Sequence, residues 1–201
     1  MKWRTLFPSL LISISSQITV AAPQAPHPSQ TASAPTFEHP KWTEADEKSL
    51  LANAQRGDRR AQMWLGAAYE QGWFGKTNFH EAVKWFRRAA SQGDPDAQVS
   101  LGQMYADGEG VHQNYTLAAK LYRRAAEHAQ DFGGAGQGRN NLGLLYMEGL
   151  GVPKDYVQAY IWFRLANVDT NLSFAKAHMT AAQVLQAEQM ATAWKDNHTV
   201  R

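Results

Sequence analysis

Cysteine is missing from this sequence altogether. That removes a disulfide framework, a thiolate metal site, a cysteine nucleophile and a lipid-modified cysteine anchor. Proline is scarce outside one stretch, with five of the eight between residues 22 and 40. Neither sign of charge is in much excess, at 20 Lys+Arg against 18 Asp+Glu. Setting aside Lys2 and Arg4 at the N-terminus leaves 18 of each. A chain so balanced has no strong electrostatic case for nucleic acid or an anionic membrane, and neither is expected as a partner. The apolar stretch from Leu6 to Val20 is broken by Pro8 and several serines. It falls short of the roughly 20 residues that a membrane-spanning helix needs.

What remains is enough for a core. Hydrophobic residues make up 44% of the chain, and seven are Trp. The first 21 residues have a basic start, an apolar middle and small residues at Ala21 and Ala22. This is the layout of a secretory signal peptide, cleaved near Ala21/Ala22, and it predicts a periplasmic or secreted protein. Residues 22–42 are rich in Pro, Ser and Ala and read as a partly extended linker.

From Thr43 the pattern becomes helical. Residues 43–60 form a leading helix, with Thr43 and Asp46 at its capped start and Gly57 beyond its end. An internal repeat follows. Ala61, Leu65, Gly66, Tyr69 and Gly72 recur 36 positions later as Ala97, Leu101, Gly102, Tyr105 and Gly108. Arg87-Arg88 and Ala89-Ala90 recur as Arg123-Arg124 and Ala125-Ala126. A third copy, 41 positions on, carries Leu142, Gly143, Tyr146, Gly149, Ala159 and Phe163. A repeat of this period predicts paired helices stacked in an array. The units are 61–96, 97–137 and 138–168, and 169–201 supplies C-terminal capping helices.

Within each unit, Gly66, Gly102 and Gly143 permit close helix approach, and Gly72, Gly108 and Gly149 end the first helix. Asn78, Asn114 and Asp155 stand as caps of the second. Asn78 with Glu81 and Asp155 with Gln158 have capping-box spacing, as does Thr180 with Gln183. The arginine pairs read as a solvated helix face. The fold class is therefore all-α, an α-solenoid of helix-turn-helix repeats.

Sites of chemistry are hard to find. The run Gly133 to Gly138 lacks the Lys-Ser/Thr of a phosphate loop and reads as a flexible insertion between units. His80-Glu81 lacks the second histidine of a zinc-protease motif, and no two histidines are spaced three or four apart. No serine stands in a nucleophile elbow. Catalytic residues, metal and cofactor are accordingly none.

The motif made by Ala97, Leu101-Gly102, Tyr105, Gly108, Gly110-Val111, Asn114, Ala118 and Leu121-Tyr122 resembles the Sel-one-like repeat (SLR) family, related to the tetratricopeptide repeats. The third unit repeats it with Gly151-Val152, Asp155 and Trp162-Phe163. The first departs from it, with Phe74 where the others have Gly110 and Gly151; Gly75 offers a one-residue shift. The resemblance covers about residues 43–196. It implies a protein-protein interaction module rather than an enzyme. Family roles include adaptors, control of cell-wall enzymes and host contact, so the partner is another protein. A secreted factor binding host proteins is the alternative. A cell-wall-directed hydrolase is a further one, weakened because the relatives linked to hydrolysis carry extra cysteines. In such an array the first helices line a concave groove. Off the core stripe they present Trp64, Ala67 and Gln71, then Ser100, Gln103 and Asp107, then Asn141, Leu144 and Glu148. Trp64 could equally pack on the leading helix.

Overall fold

The computed structural model describes residues 43–128 and 133–199. The signal-like and linker segments, 1–21 and 22–42, lie outside the described residues. Those described form nine helices and no strand. In order they are α1 (Glu44–Gln55), α2 (Arg59–Gln71), α3 (Phe79–Ser91), α4 (Pro95–Asp107), α5 (Tyr115–Ala126), α6 (Gly134–Glu148), α7 (Tyr156–Ala166), α8 (Asp169–Lys176) and α9 (Ala181–Thr199). Consecutive helices from α1 to α8 pack against each other, and α9 returns onto α7.

Each repeat is an antiparallel pair, α2 with α3, α4 with α5 and α6 with α7, and one contact holds each pair together. The rings of Phe86, Tyr122 and Phe163 lie against Gly66, Gly102 and Gly143, where a Cβ would fall 2.6 Å from ring carbon in all three. The three ring residues are buried to 2% exposure or less. Glycine there lets the helix backbones meet across a ring, so Leu65, Met104 and Leu142 fill the remaining space.

The turns explain a failed expectation. The caps bond forward as read from sequence, Asn78 Oδ1 accepting from the Glu81 amide at 3.2 Å and Asp155 Oδ1 from Gln158 at 3.0 Å. The return half of the box is missing at both positions. The cap residue's own amide already donates to the tyrosine carbonyl of the first helix: Asn78 to Tyr69, Asn114 to Tyr105 and Asp155 to Tyr146, at 2.7–2.9 Å. Glu81 pairs with Lys84 instead. At Thr43–Asp46 and Thr180–Gln183, both halves of the box form.

Neighbouring repeats are tied by recurrent bonds. Gln62 Nε2 donates to the Ala54 carbonyl and Gln98 Nε2 to Ala90, so α1 stands to α2 as α3 stands to α4. Gly110 and Gly151 lie against the backbone of Phe79 and Tyr115, at the start of the preceding second helix. The first repeat differs in its turn, where Gly75 takes φ +118° and Phe74 packs edge-on to Tyr69 at 5.9 Å. The arginine pairs are solvated as expected, all four side chains being exposed, and the first of each pair also reaches the next repeat: Arg87 donates to the Tyr105 hydroxyl at 3.1 Å, and Arg123 to that of Tyr146.

The glycine run is not a loop where it is described. Gly134 to Gly138 are the first residues of α6. A Cβ at Gly134 would sit 2.4 Å from the Pro95 carbonyl carbon, and one at Gly138 would sit 2.8 Å from the Ala125 Cβ. Poor helix propensity argued for a loop, and close packing onto α4 and α5 overrides it. The same turn of α6 holds a buried arginine, Arg139, 1% exposed. It donates to the carbonyls of Ala126, His128 and Leu165, at the ends of α5 and α7, where a cation suits the helix dipoles. Its guanidinium also lies 4.8 Å from the ring centroid of Trp194 on α9.

The C-terminal pair closes the array. Val184, Ala187, Glu188, Ala191 and Trp194 form one stripe of α9, with Ala187 and Ala191 buried and Trp194 edge-on to Trp162 at 6.2 Å. Tyr160 donates to Glu188 at 2.6 Å, and burial, then this carboxylate, pushes its phenol up to about 12.

Gly102→Ala tests the ring contact. Overpacking costs about 1–3 kcal/mol, and the better helix propensity of alanine returns only about 1 kcal/mol. Net loss of stability, seen as a lower urea midpoint, is expected; an unchanged midpoint would mean that the Tyr122 ring yields freely.

Candidate functional site

The first helices α2, α4 and α6 are neighbours in that order, α2 touching α4 and α4 lying along α6. This brings the three ridges expected of a groove onto one row of helices. Their members differ in what they offer. Gln71, Asp107 and Glu148, at the C-terminal ends, are exposed. Trp64, Ser100, Asn141 and Leu144 are half-buried. Ala67 and Gln103 are buried, at 8% and 9% exposure, and belong to the floor.

Trp64 packs within its own repeat. Its ring lies 6.3 Å from that of Trp73 in the α2–α3 turn, and it packs on the cluster of Met63, Ala67, Val83 and Phe86. Leu144 is likewise half engaged, against the core of the second and third repeats. Asn141 shares a hydrogen bond with the Tyr122 hydroxyl. These three therefore present partial faces held in place by packing, a rigid surface with little ordering cost on binding.

Two acidic residues of this face were not singled out in the sequence. Glu70 and Glu109 join Asp107 where α2 and α4 end. Burial raises the Glu70 carboxyl above the usual range, and Glu109 and Asp107 raise it further, while a bond to Gln71 acts against them. Burial also raises Asp107, opposed by a hydrogen bond with Gln103. Glu109 is raised by burial and by Asp107. The available sequence signal was an acid at or beside the last turn of each first helix: Glu70, Asp107 and Glu148. Among the described residues, no group of three or more His, Asp or Glu is placed to hold a metal ion. No described helix is long and apolar enough to cross a membrane.

The Sel1 repeat family matches this chain three times, at residues 59–94, 95–129 and 137–167. The chain belongs to the Sel1 repeat family. Among solved structures, it is similar to a protective antigen present in uropathogenic Escherichia coli strains, described as displaying an SLR fold. That protein is 32% identical, with a TM-score of 0.69 over 78% of this chain and 34% of the antigen. The chain thus spans about a third of the antigen's length. A Sel1 repeat protein from Oxalobacter formigenes is similar at 26% identity and a TM-score of 0.62, over 79% of this chain and 68% of that one. Comparison with curated proteins gives no match. Sel1 repeats generally mediate protein-protein interactions, and proteins built from them are typically non-catalytic.

The acidic edge predicts a pH dependence. A carboxyl whose folded-state value is raised favours folding below its unfolded value, about 4.3 for Glu, and that contribution is lost as pH rises through the raised value. Glu70→Gln should therefore be more stable than the parent near neutral pH, with the difference vanishing in acid. Urea midpoints across pH check this; a constant difference would refute the electrostatic cause.

Proposed function

We propose that this protein is an exported scaffold that holds another protein of the bacterial envelope on the face of its first helices, and that it performs no catalysis. The row formed by α2, α4 and α6 carries the reading. Every repeat contributes its core stripe inward and leaves one ridge of unlike residues outward. Stacked repeats offer such surfaces as their main route to recognition. Mixed apolar and acidic character, with Trp64 and Leu144 beside Asp107, Glu109 and Glu148, suits an extended partner segment with apolar and basic side chains.

Export rests on the layout of residues 1–22, and the periplasm is the proposed compartment. Similarity to a protein known as a protective antigen favours a second reading, in which the chain is secreted and meets host proteins. Lack of cysteine separates this chain from the cysteine-rich relatives linked to hydrolysis and leaves the hydrolase alternative without a nucleophile of that kind.

Two measurements test these statements. Expressed in a Gram-negative cell, the protein should be processed near Ala21/Ala22 and recovered from the periplasm; an unprocessed chain in the cytosol would end the export proposal. Photo-reactive residues at Trp64, Ser100 and Leu144 should give one discrete adduct in living cells, absent with the same group at Lys48 or Lys176. Adducts only from the control positions would move the binding face elsewhere.

A further inference from the structure

On the other side of the array, a cavity of about 250 Å³ opens between α3 and α5, floored by α4. Ala90, Leu101, Tyr105, Leu117 and Leu121 supply its apolar walls, and Arg87, Lys120 and Arg124 its charged ones, with no carboxylate among the lining residues. Repeat register explains why the space is there. The equivalents of Ala90, Leu101, Tyr105 and Leu121 in the preceding unit are Ala54, Leu65, Tyr69 and Trp85, and these pack as one cluster with the indole filling the gap. In the following unit they are Ala126, Leu142, Tyr146 and Trp162, again a filled cluster. Trp85 and Trp162 are buried, at 4% and 9% exposure. Of the three repeats, the middle one alone has leucine at this position, and there the gap is open.

The cations above the gap keep their places. Lys84 and Arg88 lie over the Trp85 ring, at 5.8 and 4.6 Å from its centroid. Their equivalents 36 residues on are Lys120 and Arg124, which among the described residues have no aromatic ring beneath them and no hydrogen-bond or ion-pair partner. Leu117, at the rim, is one of few large apolar side chains left exposed.

We propose that this cavity takes an aromatic side chain from an acidic segment of a partner protein. The guest ring would occupy the place that Trp85 and Trp162 fill in the neighbouring repeats, under Lys120 and Arg124, as cation–π stacking favours. Carboxylates flanking the ring would pair with the three cations. This is a second surface, distinct from the first-helix face, and it stands whether or not that face binds.

The probe is a short blocked peptide, Asp-Glu-Trp-Asp-Glu, titrated into the full chain and followed by the leucine methyl resonances. Saturable shifts at Leu101, Leu117 and Leu121 are expected. Binding should weaken about tenfold, the scale of a cation–π and ion-pair contribution, when the peptide's Trp is replaced by Ala or when the protein carries K120E and R124E. L121W should abolish it by filling the cavity from within. The charge-reversed surface variant keeps the test valid if L121W fails to fold. Equal binding by L121W, by the charge-reversed variant or by a peptide with Lys in place of its acids would overturn the proposal. So would no peptide binding together with cation-dependent capture on phosphatidylglycerol vesicles, which would assign the cavity to a lipid surface.

Discussion

Phe86, Tyr122 and Phe163 each press a ring onto a glycine of the partner helix, and the architecture follows from that spacing. With the backbones drawn together, small residues serve the core, and the alanines at 68, 89, 106, 125 and 159 are buried. A larger residue at the glycine would separate the helices and open voids along the pair, each costing stability in proportion to its size. The turn depends on the same closeness. The first helix must end within reach of the next cap, so that the tyrosine carbonyls accept from the amides of Asn78, Asn114 and Asp155. Repetition then makes the array, each unit satisfying the carbonyls of the one before through Gln62, Gln98 and Arg139.

Arg139 shows how a repeat array absorbs an irregular unit. At the third interface the segment between α5 and α6 is longer, and a glutamine at this register would reach one carbonyl. Arginine reaches three, and its guanidinium carbon lies 4.8 Å from the ring centroid of Trp194 on the closing helix. A buried guanidinium is costly unless its donors are met. Carbonyls at two helix ends meet them here, which ties the cap to the last repeat.

The two faces of the array differ in charge as well as in shape. Glu70, Asp107, Glu109 and Glu148 gather where the first helices end, while Arg87, Lys120 and Arg124 line the cleft between second helices. A molecule near electrical neutrality overall can thus present opposite signs on separate surfaces, which suits a scaffold more than a chain recognised by net charge.

Helix positions, repeat period, helix stops and forward caps were all legible in the sequence, because each is a local matter of apolar period and of backbone preference at glycine, asparagine and aspartate. Four features were not. The capping boxes of Asn78 and Asp155 stayed half formed because a tertiary bond had taken the amide they needed. The glycine run joined a helix because packing against Pro95 and Ala125 outweighed propensity. Among the nine candidate groove residues, sequence register placed all of them on the first helices, but only packing decided that Ala67 and Gln103 lie in the floor and that Trp64 leans on Trp73. The leucine at 121 was visible as a letter from the start; that it leaves an open cavity lined by Lys120 and Arg124 is a property of three helices meeting, which no single stretch of the chain contains.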